Sequence, residues 1–258
     1  MKLYEEYRLL KAGCTRGIFE VYASEEEMSL ATAGRIADTV REKADAMLCL
    51  PSGSTPVTAF GMLCRMQKEG DLDLSRVRFM QLDEWLALDE DSENCLHFLD
   101  RHFYQEAGIG RDQMFCFDIH AQDMQAECSR ADLYLHKFGP IDLMVLGIGM
   151  NGHLGLNEPG ISWENGTTVV ALSETTKTVG QKYFSGRKTL TGGITLGMKH
   201  VLASRRVILQ ISGAHKADIA AKLVRSEPDV LLPASALKTH DAARVLMDRA
   251  SAAKTGLI

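Results

Sequence analysis

Short, almost wholly apolar runs alternate along this chain with longer stretches of helical spacing, and that alternation constrains its fold more than any other feature. In Leu143-Met144-Val145-Leu146 no position is polar, so a strand there has to be covered on both faces. An amphipathic strand of an exposed sheet would show alternation instead. Runs of this kind predict strands at Met47–Leu50, Val77–Leu82, Met114–Phe117, Ile141–Gly147, Thr168–Leu172, Val207–Ile211 and Ala243–Met247. Helical spacing predicts helices at Glu25–Lys43, Pro56–Glu69, Asn94–Ala107, Met124–Phe138, Glu174–Phe184 and His215–Arg225. Ser24 with Glu27 makes a capping-box start, and Pro56 suits a first helical turn. Strands and helices in this order argue for an α/β fold, a doubly wound, mostly parallel, Rossmann-like sheet with helices on both faces.

At 258 residues, with no internal repeat or Pro/Gly linker, the chain reads as one domain over 1–258. Residues 163–193, glycine-containing and weakly periodic, are the candidate lid. The run Ile141 to Ile148 is broken by Asp142 and Gly147 well short of a membrane span. The first residues, Met1-Lys2-Leu3-Tyr4-Glu5-Glu6-Tyr7, place charges where a signal peptide needs an apolar core. The formal net charge is −5 with no Lys/Arg-rich run, which argues against a nucleic-acid partner. A small anionic ligand stays compatible, since a phosphate needs only a few local donors. No two of the six cysteines are close enough in sequence for a zinc knuckle or a redox pair. They read as reduced, apolar-like residues of a cytoplasmic protein.

Ligands of such sheets sit beyond the carboxyl ends of the strands. Four predicted strand ends carry polar or glycine-rich clusters. Pro51-Ser52-Gly53-Ser54-Thr55-Pro56 suits an anion approached by backbone and hydroxyls at a helix start, or else an ordinary capped turn; it lacks the Gly-Lys-Ser/Thr of a P-loop. Asp83-Glu84-Trp85 offers two carboxylates, either of which could be a base with a pKa raised by burial or by its neighbour. A third cluster, Gly147-Ile148-Gly149-Met150-Asn151-Gly152-His153-Leu154-Gly155-Leu156-Asn157-Glu158-Pro159-Gly160, holds five glycines in fourteen residues, with His153 and Glu158 five apart. A shared pocket would make those two a proton-transfer pair. Its Gly-x-Gly order does not continue into a clean helix, and no ribose-binding acid closes the next strand, so nicotinamide binding is rejected. In Ser212-Gly213-Ala214-His215-Lys216 the lysine is placed to meet a phosphate at a helix start, or to lie solvated on the surface.

In this order the clusters resemble the glucosamine/galactosamine-6-phosphate deaminase (isomerase) family, which includes 6-phosphogluconolactonases. The resemblance runs from about Glu25 to the C-terminal strand. It rests on Leu50-Pro51-Ser52-Gly53-Ser54-Thr55-Pro56, Leu82-Asp83-Glu84-Trp85 and the segment Gly149 to Gly160. The ending Asn157-Glu158-Pro159-Gly160 is similar to the deaminase branch. The lactonase branch carries Ser-x-Phe-Pro there.

The resemblance implies an enzyme that turns an amino-sugar 6-phosphate and water into a ketose 6-phosphate and ammonia, with no metal or organic cofactor. Asp83 would be the base between C2 and C1, and His153 with Glu158 would open the sugar ring. Ser52, Gly53, Ser54, Thr55 and Lys216 would cradle the phosphate. Asn151 stands where most glucosamine-6-phosphate deaminases have an aspartate that orients the histidine. Its amide oxygen would fix the ring tautomer and favour a neutral His153. The motif in this form resembles the galactosamine-6-phosphate branch. Lys182 occupies the place of a phosphate-binding arginine, so Lys182 or Arg187 would serve, without bidentate contact in the case of lysine. The expected partner is a small sugar phosphate, with no membrane, and a homo-oligomer is compatible with the chain. A 6-phosphogluconolactonase-like hydrolase and a non-catalytic sugar-phosphate sensor are the alternatives.

Overall fold

The apolar runs form the middle of an eight-stranded sheet. The computed structural model describes residues 2–86, 88 and 93–258. Its first half contains α1 (Leu3–Leu9), β1 (Cys14–Arg16), β2 (Phe19–Tyr22), α2 (Glu25–Glu42), β3 (Met47–Leu50), α3 (Val57–Lys68), β4 (Arg78–Gln81), β5 (Asp83–Leu86), α4 (Cys95–Leu99), α5 (Gln105–Ala107), β6 (Met114–Phe115) and α6 (Met124–Phe138). The second half contains β7 (Leu143–Gly147), β8 (Thr168–Ala171), α7 (Glu174–Gly180), β9 (Gly192–Thr195), α8 (Met198–Ala203), β10 (Val207–Ile211), α9 (Ala217–Arg225), β11 (Ala243–Asp248) and α10 (Arg249–Ala252). The large sheet has the order β1-β2-β11-β10-β7-β3-β4-β6. Every pairing in it is parallel except β1 with β2.

Both faces of this sheet are packed, which is why its strands read as unbroken apolar runs. In β3, Met47 and Cys49 join one core while Leu48 and Leu50 join the other. In β7, Met144 and Leu146 face the first core, Leu143 and Val145 the second. α2 and α3 cover one face; α6, α8 and α9 cover the other. From β3 the chain winds outward through β4 to β6, then returns to β7 on the opposite side of β3 and winds away through β10 and β11. The β3/β7 boundary is therefore the topological switch point, where loops diverge and leave a crevice.

The fold departs from expectation at its N-terminus, in the helix after Asn94 and at the end of β4, and it adds β9, α8 and α10. α1, β1 and β2 were not foreseen: β1 is short and largely exposed, and α1 is seven residues long. The helix expected over Asn94–Ala107 is interrupted by a π turn at Asp100–Tyr104 and ends at Gly108, whose φ of +68° is left-handed. Most consequential, the run expected as one strand at Val77–Leu82 breaks at Leu82. β4 stays in the large sheet, and β5 enters a second, antiparallel sheet of order β5-β9-β8. Thr168–Ala171 belongs to that small sheet too, its residues alternating between half-buried and exposed. β9 escaped sequence reading because it is Gly192-Gly193-Ile194-Thr195: a Cβ on Gly193 would stand 2.1 Å from Leu156 and 2.9 Å from the Glu84 carbonyl.

Glu84 holds the corner between the two sheets. It is 1% exposed. One carboxylate oxygen accepts the N–H groups of Trp85 and Cys95, each at 2.8 Å. The other accepts the Leu96 N–H and the Gln81 side-chain amide, each at 2.9 Å. Gln81 also donates to the Asp83 carbonyl at 3.1 Å and accepts the Phe117 N–H at 2.8 Å. An amide in place of the carboxylate would turn two acceptor directions into donors facing N–H groups. Glu84→Gln is accordingly expected to lower unfolding stability by about 2–4 kcal/mol. Urea titration should show the midpoint falling with an unchanged slope; an unchanged midpoint would mean that the corner does not depend on this charge.

Candidate active site

Beyond the carboxyl ends of β3, β4, β7 and β10 lies a cleft enclosing ≈ 990 Å³, its open mouth included. All four sequence clusters contribute to it. The loop after β3 supplies Ser52, Gly53, Ser54 and Thr55, the corner after β4 supplies Asp83, the loop after β7 supplies His153, and the turn after β10 supplies Lys216.

At the anion end, Gly53 has a φ of +116°, a conformation that favours glycine. Among the described residues the Gly53 N–H donates to nothing, leaving it free for a ligand. Tyr183 arches over this loop, its hydroxyl 3.3 Å from where a Cβ on Gly53 would sit. Lys216 donates to the Ile148 carbonyl at 2.6 Å. Burial, and then the nearby charge of Lys182, lower its pKa to about 8. Two ammonium groups held close enough to disfavour each other are a field that a bound dianion would relieve. Lys182 lines the cleft. Arg187 is exposed and outside the lining, so of the two only Lys182 lies in the cleft. Ser212 also lines the cleft, with its hydroxyl donating to Asp248 at 2.7 Å.

The two adjacent carboxylates have separate tasks. Glu84 is consumed by the corner, whereas Asp83, 8% exposed, faces the cleft. Burial, followed by the neighbouring Glu84 charge, pushes Asp83 up to about 7. Gly155, with a φ of +58°, lets the long loop pass this group: a Cβ there would meet the Thr195 hydroxyl at 2.9 Å and the Asp83 carboxylate at 3.4 Å. Cys95 also lines the cleft, and burial raises its thiol well above the ordinary range, so it stays protonated.

The His153 ring lies flat over Gly149, where a Cβ would stand 2.2 Å from Cε1. Burial, and secondarily Lys216, hold its pKa well below the ordinary imidazole range, so the ring is neutral for reasons other than Asn151. Glu158 opposes that shift, and it stays ionised despite burial because N–H and O–H donors surround it. Asn151 and Glu158 stand behind the histidine, outside the cleft lining. The expectation that the Asn151 amide oxygen fixes the ring is corrected here: that oxygen accepts the backbone N–H of His153 at 3.2 Å. The amide nitrogen donates to Glu158 at 2.7 Å and to Ser173 at 3.1 Å. The reason is reach, since a side chain two residues back closes an Asx-type turn more readily than it spans to the ring. Glu158 is 3.8 Å from His153 Nδ1, beyond a hydrogen bond.

Sequence reading missed Ser173, Thr176 and Tyr183. All three come from residues 163–193, and the signal was present: Ser173 caps α7, accepting the Thr176 N–H at 3.2 Å.

Residues 23–247 match the family described as glucosamine-6-phosphate isomerases/6-phosphogluconolactonase. The chain is 36% identical over 229 residues to glucosamine-6-phosphate deaminase 1 of Bacillus subtilis (strain 168), covering 88% of this chain and 95% of that one. It is 32% identical over 234 residues to a glucosamine-6-phosphate deaminase of Clostridium botulinum (strain Hall), covering 90% of this chain and 96% of the relative. A solved structure described as a monomeric glucosamine-6-phosphate deaminase of the NagB superfamily superposes with a TM-score of 0.87 at 34% identity, over 92% of this chain and 99% of its own. The 6-phosphogluconolactonase of Trypanosoma brucei shares the fold with a TM-score of 0.70 at 19% identity, over 92% and 98% of the two chains. With a cleft assembled from every motif that carried the resemblance and a match over most of its length, the chain belongs to the glucosamine-6-phosphate isomerase/6-phosphogluconolactonase family of enzymes.

Proposed function

We propose that the protein deaminates and isomerises a 2-amino-2-deoxyhexose 6-phosphate, releasing ammonia and a ketose 6-phosphate. The observation that carries this reading is Asp83: a buried carboxyl with its pKa pushed up to about 7, in the same cleft as a cationic anion site and a neutral histidine. A base with a pKa near the working pH suits abstraction of a proton beside a carbonyl, an effect of roughly 10²–10⁴ in rate.

In this scheme Ser52, Gly53, Ser54 and Thr55 with Lys216 and Lys182 hold the phosphate, and His153 assists opening of the pyranose. The open-chain aldehyde acidifies C2–H, and Asp83 takes that proton while O1 is protonated, giving a 2-amino enol. Return of the proton to C1 gives the C2 iminium, to which water adds, and ammonia leaves from the resulting carbinolamine. Residues 163–193 serve as the lid: Thr175, Thr176, Val179, Gly180, Lys182 and Tyr183 line the cleft from that side. The ionised Glu158 behind the histidine supports the deaminase over the lactonase reading. Free thiols at all six cysteines support a cytoplasmic location, and no helix of the described residues is long and apolar enough to cross a membrane.

The relatives' names support glucosamine 6-phosphate as the substrate. Galactosamine 6-phosphate is the second reading, favoured by the motif around Asn151. That residue is bonded to Glu158 and Ser173 behind the histidine, so it does not read a sugar hydroxyl directly.

Three outcomes are expected. Ammonia release, followed side by side on the two amino-sugar 6-phosphates, should be faster with the gluco isomer; faster release from the galacto isomer would establish the second reading, and silence with both would overturn the deaminase. Asp83→Asn should fold normally and lose ammonia release by at least about 10²-fold; near-native turnover would remove Asp83 from the base role. The profile of kcat/KM against pH should rise through about 7 as Asp83 ionises and fall above about 8 as Lys216 loses its charge. The second limb should appear as a rising KM, because bound phosphate keeps Lys216 protonated.

A further inference from the structure

We propose that Thr176, on the lid helix α7, is a positioning residue that holds His153 in the Nδ1–H tautomer and so turns an unprotonated Nε2 toward the substrate. This deepens the deaminase reading and rests on it for its catalytic consequence, though the tautomer itself does not.

Thr176 is 4% exposed, and its hydroxyl oxygen lies 3.2 Å from His153 Nδ1. Glu158 is 3.8 Å from the same nitrogen, so the carboxylate reaches the ring only through an intermediary. Ser173 Oγ accepts from Asn151 Nδ2 at 3.1 Å and from the Thr176 N–H at 3.2 Å, which uses both its lone pairs. Its own proton goes to Thr176 Oγ1, 3.1 Å away. Thr176 then has one lone pair and one proton left for two neighbours, His153 Nδ1 and Glu158. Glu158 is held ionised by Asn151 Nδ2 at 2.7 Å and the Ser173 N–H at 3.1 Å, and its negative charge 3.8 Å from Nδ1 favours a proton on that nitrogen over a lone pair. The remaining lone pair of Thr176 then accepts from Nδ1–H, and the Thr176 proton turns toward the carboxylate.

Nε2, the other ring nitrogen, has no protein partner among the described residues, and the ring lines the cleft. An unprotonated Nε2 can take the proton of the anomeric hydroxyl and return it to the ring oxygen as the bond from C1 to that oxygen breaks, with no net change of protonation. The charged groups acting on the ring are Glu158 from its own loop and Lys216 from the turn before α9. Because the hydroxyl arrives on α7, the tautomer depends on where the lid helix sits.

The test is the ¹⁵N spectrum of the imidazoles in the full-length protein, with the His153 signals assigned by loss in His153→Gln. The native protein should show a protonated Nδ1 and an unprotonated Nε2. Thr176→Val should lose that pattern, lower kcat by at least about tenfold and leave KM within about twofold, whereas Thr176→Ser should restore both tautomer and rate. A native Nε2–H tautomer, or a Thr176→Val enzyme with unchanged kcat, would overturn the proposal. If the native protein released no ammonia from either amino sugar, the deaminase reading would fail while the tautomer measurement still decided the role of Thr176.

Discussion

A single buried carboxylate, Glu84, sets the geometry on which the cleft depends. Four N–H donors satisfy it, from Gln81, Trp85, Cys95 and Leu96. Burial alone would make an ionised glutamate very costly, and the donors offset that cost only where all of them converge. Convergence requires the chain to leave the large sheet at Leu82, to begin β5 at once, and to bring the start of α4 back against the corner. Asp83 is the residue caught at that bend, so its exposure to the cleft is a by-product of satisfying its neighbour.

The same economy governs the other side of the cleft. The loop after β7 approaches three groups closely, and each approach needs a missing side chain. Gly149 lies under the His153 ring, Gly155 passes the Asp83 carboxylate, and Gly193 in β9 makes room for Leu156. The small sheet is thereby locked against the large one through backbone contact. A separate small apolar cluster of Trp85, Leu88, Cys95, Leu156, Leu172, Phe184 and Leu190 ties residues 163–193 to this assembly. A small cluster holds less firmly than the two main cores, which suits the lid proposed for this segment.

The central strands were legible because burial on both faces leaves a continuous apolar trace, and Met47–Leu50 and Val207–Ile211 fall where they were expected. The helix at Met124–Phe138 was legible for a related reason: Asp123 caps it and its spacing is regular. The second sheet was not legible, because its strands carry glycines and polar residues whose sense lies in what they make room for. Among the site residues, Ser52, Gly53, Ser54, Thr55, Asp83, His153, Lys216 and Lys182 do line one cleft. Asn151 and Glu158 do not, and they act on the histidine from behind. Thr176 lay hidden inside a segment whose weak periodicity marked it only as a lid.

Residue order alone determined the covered parallel sheet, the loops at its carboxyl ends and the types of chemical group those loops present. These depend on local spacing and on the burial each segment demands, and both are written along the chain. Tertiary structure decided which of two adjacent carboxylates faces the cleft and which nitrogen of His153 is engaged. It also decided which of Lys182 and Arg187 lines the cleft. Those outcomes turn on differences of less than an ångström in hydrogen-bond reach, such as the 3.2 Å and 3.8 Å separations at His153 Nδ1. Only the packed fold sets distances on that scale.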